Sequence, residues 1–176
     1  MARIVNIEIH NFRSIASLSW QPGAGVNCLI GPGDSGKSSI LDAIDFALGA
    51  RRNLQFSDAD FHQLDVSAPI LIELTIGGLD DALKSMDSYG QYLRGFDELF
   101  GELHDEPGKG LETVLTLRLT VASDLEPNWA LHSDRAAALL EHVAANPAHV
   151  VGHLLVADFG RAGRGLFELF RARPTA

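Results

Sequence analysis

Cysteine is nearly missing from this sequence. Cys28 stands alone among 176 residues, so no internal disulfide can form. Lysine is scarce too, with Lys37, Lys84 and Lys109 the full set, and the formal charge is −9. An acidic, lysine-poor chain lacks the electrostatic footprint of a nucleic-acid binder, so contact with DNA is expected only through a larger assembly. No run approaches the roughly 18 consecutive apolar residues of a membrane span. The opening MARIVNIEIH has no charged-then-apolar leader, so a reducing cytoplasm is expected. No Asn is followed by Lys, which removes the guanine-reading N-K-x-D motif. Internal repeats and low-complexity tracts are absent as well.

What remains is an ordinary globular composition, 46% apolar and 21% charged, at a length suited to one domain. Val5, Ile7 and Ile9 alternate with Asn6, Glu8 and His10, the period of a half-buried strand. After a turn at 11–14, Ala16, Leu18 and Trp20 alternate in the same way, and the two strands predict a hairpin. The run 26–30, VNCLI, reads as a short buried central strand with Cys28 as a small buried hydrophobe. Ile40, Leu41, Ile44 and Leu48 recur at helical spacing, and Gly49 is placed to end that helix. Residues 51–68 are polar and aperiodic. Further strands are expected at 70–76 and 115–121, with a shorter one at 128–132. One or two short helices are expected within 79–100. Ser133 is placed to cap a helix running to about 145, and 150–157 reads as a last strand.

Between the run 26–30 and the helix lies Gly31-Pro32-Gly33-Asp34-Ser35-Gly36-Lys37-Ser38, which fits the phosphate-binding P-loop pattern G-x-x-x-x-G-K-[ST]. Glycines let successive N–H groups turn inward toward phosphate oxygens. The following helix points its positive N-terminal end at the same anion. Lys37 is placed to bridge the β- and γ-phosphates, the Ser38 hydroxyl to ligate Mg²⁺, and Ser39 to reach the α-phosphate. The ligands called for are therefore ATP and Mg²⁺. Asp34 brings a carboxylate into the loop, which must point away from the phosphates or be paired.

Three weaker signals stay open. Asp58, Asp60 and His62 offer alternate oxygen and nitrogen ligands for a metal, or form a solvated acidic loop. Asp87-Ser-Tyr-Gly90 matches a loose D-x-x-G pattern too common to carry weight. Asp158, at the end of the apolar run LLVAD, is either a Mg²⁺ ligand or a bland strand-end residue.

The stretches IVNIEIHNFRSI and GPGDSGKSSILDAIDFALG resemble the N-terminus of RecF/SMC-type ABC ATPases. Within these, SDADFHQLDVSAPILIELTI and ELHDEPGKGLETVLTLRLTVASDLEPNWALHSDR are most similar to the antiparallel β-subdomain of OLD-type ATP-dependent endonucleases, and GRAGRG at 160–165 to the glycine- and arginine-bearing segment that follows. The resemblance implies an α/β fold, a partial ABC-type ATPase head with an antiparallel β-subdomain. It implies a single N-terminal head domain over 1–176: a P-loop core to about 50, β-subdomain and helices to about 157, then a truncated tail. It implies self-association head to head, or pairing with a C-lobe or nuclease partner, and a role in DNA repair or phage defence. By position Arg13 matches the basic residue such heads aim at the nucleotide phosphates, and a solvated turn arginine is its alternative.

The sequence departs from that family in lacking an L-S-G-G-Q-like signature, a D-loop, an apolar run ending in Asp-Glu and the carboxylate-rich Toprim nuclease module. Phe159 stands where the catalytic Glu belongs. ATP binding with weak hydrolysis is therefore expected. The competing expectation is a degenerate fragment that binds no nucleotide and acts as an interaction or regulatory protein.

Overall fold

The structure, a computed structural model, describes residues 1–49 and 54–145. The run 150–157, Asp158 and residues 160–165 lie outside the described residues. The strands are β1 (Arg3–Phe12), β2 (Ile15–Trp20), β3 (Ile70–Gly77), β4 (Leu93–Asp97), β5 (Glu102–His104), β6 (Glu112–Val121) and β7 (Pro127–His132). The helices are α1 (Lys37–Ala47), the single turn α2 (Met86–Tyr89) and α3 (Asp134–Ala145), and two 3₁₀ turns occupy Asp58–Asp60 and His62–Leu64. Among the described residues the strands hydrogen-bond in the order β2-β1-β3-β6-β4-β5, with β7 also on β6. No helix among them is long and apolar enough to cross a membrane.

Residues 4–76 and 117–130 form one compact unit. The predicted hairpin is present, with Ile7 opposite Trp20, Ile9 opposite Leu18 and Phe12 opposite Ile15. Strand side chains alternate faces, so Ile7, Ile9, Ile70, Ile72, Leu74 and Leu119 fall on one side and are fully buried. Helix α1 packs into that cluster through Ile40, Ala43, Phe46 and Ala47. The spacing i, i+3, i+6, i+7 is one helical stripe. Leu41 lies off the stripe and is 60% exposed, so it is not an anchor of the helix. The helix ends as expected: Gly49 takes φ 66 and its N–H bonds to the Phe46 carbonyl at 3.0 Å.

The run 26–30 corrects the sequence reading. It forms no strand, Val26 and Ile30 are 94% and 93% exposed, and Cys28 is exposed rather than buried. An apolar run becomes a central strand only where neighbours accept its ladder of hydrogen bonds. The strand order among the described residues offers this run no such neighbour.

Residues 1–3, 77–116 and 131–145 belong to the other unit. Within 79–100, where one or two short helices were expected, α2 supplies a single turn, and β4 follows it, pairing antiparallel with both β5 and β6. Helix α3 starts where predicted. The Ser133 hydroxyl accepts the Ala136 N–H at 3.1 Å, and the Asp105 carboxylate accepts those of Asp134 (2.8 Å) and Arg135 (3.0 Å). Arg135 also donates to the Leu93 carbonyl at 2.6 Å, tying α3 to β4.

Candidate functional site

The phosphate loop has the local geometry its residue types call for. Gly36 sits at φ 82 just before α1, a left-handed conformation that side chains resist. A Cβ there would meet the Ser14 Oγ at 3.2 Å and the Ile15 Cγ1 at 3.4 Å. Gly36→Ala is thus expected to cost about 1–2 kcal/mol from the backbone alone and to push Ser14 off the loop. A lowered urea midpoint together with weaker nucleotide binding checks this. No side chain caps the N-terminus of α1, and no acidic residue lies in its first turn. The Ile40 N–H reaches back to the Gly36 carbonyl at 2.9 Å. The amides before it have no partner inside the helix and carry its positive end.

Ser14 and residues 33–39 line a cleft of about 290 Å³ at that end. Lys37 Nζ donates to the carbonyls of Gly31 (2.9 Å) and Pro32 (2.5 Å) and to the Ser35 hydroxyl (2.9 Å). All three ammonium donors are thereby held over the loop. Ser38 is exposed at the cleft. Ser39 is buried, its hydroxyl 3.1 Å from that of Ser14. Gly33 faces open space, with no atom within 4 Å of a Cβ built there. Asp34 is exposed on the lining at φ 57, and it makes no ion pair with described residues. This donor set, amides and an ammonium beside serine hydroxyls, fits a polyphosphate and a hard cation.

Arg13 stands apart from the cleft lining. Its guanidinium bonds Asp60 (Nε to Oδ1, 2.9 Å) and Asp42, and lies 4.9 Å and 5.4 Å from the ring centres of Phe12 and Phe46. Burial works against its charge, yet the hydrogen bonds and charges of Asp60 and Asp42 outweigh that and raise its pKa above the ordinary arginine value. Its backbone is equally engaged. The Arg13 N–H donates to the Asp60 carbonyl at 2.7 Å, and His62 Nδ1 lies 2.9 Å from the Arg13 carbonyl. Asn11 and Arg13 both hold positive φ, of 54 and 50. Such residues cost on the order of 1–3 kcal/mol and cluster at functional turns.

Asp60 and His62 are thus spent on the β1–β2 turn, and Asp58 is exposed. Among the described residues no group of three His, Cys, Asp or Glu converges to hold a metal, and the segment is not simply solvated, since the Asp60 side chain is only 15% exposed. Ser14 is the lining residue that sequence reasoning missed. Its only sequence signal was a hydroxyl beside Arg13 in the same turn.

A sequence-family profile described as an AAA domain matches residues 6–81. The DNA replication and repair protein RecF of Chlorobium luteolum is 48% identical over 44 residues, 25% of this chain and 12% of that protein. The structural maintenance of chromosomes protein 5 of Arabidopsis thaliana is 45% identical over 51 residues, 29% of this chain and 5% of that protein. The chain therefore spans only a small part of the length of the relatives it matches. Among solved structures, one from a study of ATP-driven dimerization and DNA-stimulated activation of SMC ATPases overlays at TM-score 0.48 and 16% identity, covering 97% of this chain and 92% of the other. The Smc head domain of Pyrococcus furiosus, bound to the C-terminal domain of ScpA, overlays at 0.48 and 20%, covering 82% and 33%. The profile match, the phosphate loop and the antiparallel sheet agree with the fold class expected from sequence: α/β, a P-loop domain with an antiparallel β-subdomain.

Proposed function

We propose that this chain is the N-terminal nucleotide-binding part of a RecF/SMC-like ATPase head, holding ATP with Mg²⁺ at Gly31, Pro32, Gly33, Asp34, Ser35, Gly36, Lys37, Ser38 and Ser39. The observation that carries the reading is the uncapped N-terminus of α1 facing a cleft with Lys37 gathered over it. In the bound form Lys37 exchanges its loop carbonyls for β- and γ-phosphate oxygens. Ser38 supplies a hydroxyl to the cation, whose charge offsets that of the phosphates. Ser39 faces the α-phosphate.

The finer parts of the proposal concern the whole protein. We assign the chain to the OLD type on the residues quoted at 57–76 and 102–135, with residues 1–176 as one N-terminal domain. Its setting is cytoplasmic, its role DNA repair or phage defence, and any contact with DNA runs through the larger assembly. Hydrolysis is slow in this piece alone, because the general base and the signature motif come from elsewhere, and a second head or a C-lobe supplies them.

Titration calorimetry of the full chain tests the binding. Mg-ATP should bind saturably, and chelating Mg²⁺ should weaken binding about tenfold, one charge-assisted interaction's worth. In Ser38→Ala that dependence on Mg²⁺ should largely vanish. No heat at millimolar Mg-ATP would sink the proposal. It would favour the second reading, an interaction fragment, whose supporting observation is the exposure of Val26 and Ile30.

A further inference from the structure

We infer that Arg13 is a positioning residue that works through Asp42 and Asp60, and that Ser14 is the group by which the β1–β2 turn meets a bound nucleotide. The inference rests on the nucleotide-site reading above and changes the role expected of this turn. Lys37 donates only to neutral loop oxygens, which a phosphate can displace, whereas a guanidinium already paired with carboxylates gives up charged partners to reach one. That of Arg13 is divided between carboxylates on two different elements, Asp42 on α1 and Asp60 in the first 3₁₀ turn. Both aromatic neighbours sit against it, Phe12 from β1 and Phe46 from α1. The Arg13 side chain is 32% exposed and that of Asp60 15%, so the pair is partly shielded from water.

The backbone points the same way. The turn is fixed to the 3₁₀ segment by the Arg13 N–H on Asp60, the His62 N–H on Asn11 Oδ1 (3.1 Å) and His62 Nδ1 beside the Arg13 carbonyl. A turn bound at so many points has its next residue placed rather than free. That residue is Ser14, which lines the cleft and lies 3.1 Å from the Ser39 hydroxyl. Arg13 therefore acts as a strut between helix and loop, and the hydroxyl pair Ser14–Ser39 is what the strut presents. Ser39 reaches the α-phosphate, a group ATP and ADP share, so the contribution of Ser14 should be equal for both.

The test is calorimetry with Mg-ATP and Mg-ADP on the full chain. The two roles of Arg13 give opposite signs when its partners are neutralised. As a strut, Arg13→Gln and the double change Asp42→Asn, Asp60→Asn should each weaken Mg-ATP several-fold, and all three changes together should do no worse. As a phosphate ligand, Arg13 would be released by the double change, and Mg-ATP would bind more tightly. Arg13→Lys separates the two again. A lysine cannot span both carboxylates and should behave like glutamine here, whereas near-wild-type affinity would mean that only the charge matters and would overturn the inference. Ser14→Ala should weaken Mg-ATP and Mg-ADP by the same factor, about 2- to 10-fold for a neutral hydroxyl bond. Should the double aspartate variant fail to fold, Arg13→Lys and Ser14→Ala decide alone. Unchanged affinity in Ser14→Ala, with wild-type binding abolished by Lys37→Ala, overturns the inference and leaves the site standing. An absence of binding in the wild type removes both.

Discussion

Lys37→Ala should lower the affinity for Mg-ATP by about two orders of magnitude. An ammonium shared by two phosphate oxygens makes charge-assisted bonds of roughly 1.5–3 kcal/mol, and 1.4 kcal/mol is a factor of ten. Part of that is offset, because Lys37 gives up its bonds to Gly31, Pro32 and Ser35 when it turns to the ligand. The remainder still dominates the site, since among the described residues Lys37 is the only lysine or arginine on the cleft lining. Lys37→Arg should restore little, because a planar fork does not fit where a compact point charge sits within 2.5–2.9 Å of three oxygens. Calorimetry at fixed Mg²⁺ measures the loss. The thermal midpoint should hardly move, as the loop is exposed and outside the core. A variant that binds Mg-ATP as the wild type does would refute the role of Lys37.

The largest effect on stability is expected from Phe12→Ala, a loss of about 3–5 kcal/mol. Phe12 is 0% exposed. Its ring meets Phe46 edge-on at 5.9 Å, and Phe46 in turn meets Phe56 at 5.6 Å. Its backbone bridges to Phe61, and the Arg13 guanidinium lies over its face. Alanine would leave a cavity at the junction of β1, α1 and the 3₁₀ segment. Against a typical total of 5–15 kcal/mol, that is a large share. Urea unfolding should show the midpoint fall with little change in slope. Leu41→Ala, on the exposed side of α1, should stay within about 0.5 kcal/mol.

Much of the fold could be read in the sequence because apolar and polar residues alternate along its long strands. In β1, β3 and β6 that alternation placed all three strands, although in β3 and β6 the polar positions Glu73, Thr75 and Thr116 are buried as well. The phosphate loop was legible because its residue types are dictated by the backbone rather than by distant contacts. β4 was not. Its residues run LRGFD, with Leu93 and Phe96 three apart, so there is no alternation to read. Gly95, which looks like a breaker, is there because a Cβ would fall 2.6 Å from Leu111 Cδ1 and 2.7 Å from the Glu106 carbonyl. Buried Arg94 in the same strand hides the apolar signal further, its Nη1 reaching Thr116 at 3.3 Å. β5 spans only Glu102–His104, too short for any period.

Residues 26–30 failed for the opposite reason. Their composition suits a core strand, but composition does not supply a hydrogen-bonding neighbour. At the site, the motif located the loop but was silent on Ser14, whose place depends on ion pairs between residues 29 and 47 positions apart.

The exposure of 26–30 bears on the energetics of ligand capture. The phosphate loop is anchored firmly on its downstream side, where α1 enters the core. On the upstream side Asn27 bonds Gly23 and Gly25, and Leu29 is only partly buried against the core while Val26 and Ile30 are exposed. A triphosphate seated between the two sides must immobilise the looser one, and that entropy loss is subtracted from the contact energy. Whatever pairs with this stretch beforehand removes the penalty, so such pairing and nucleotide binding reinforce each other, each raising the affinity for the other by the same factor.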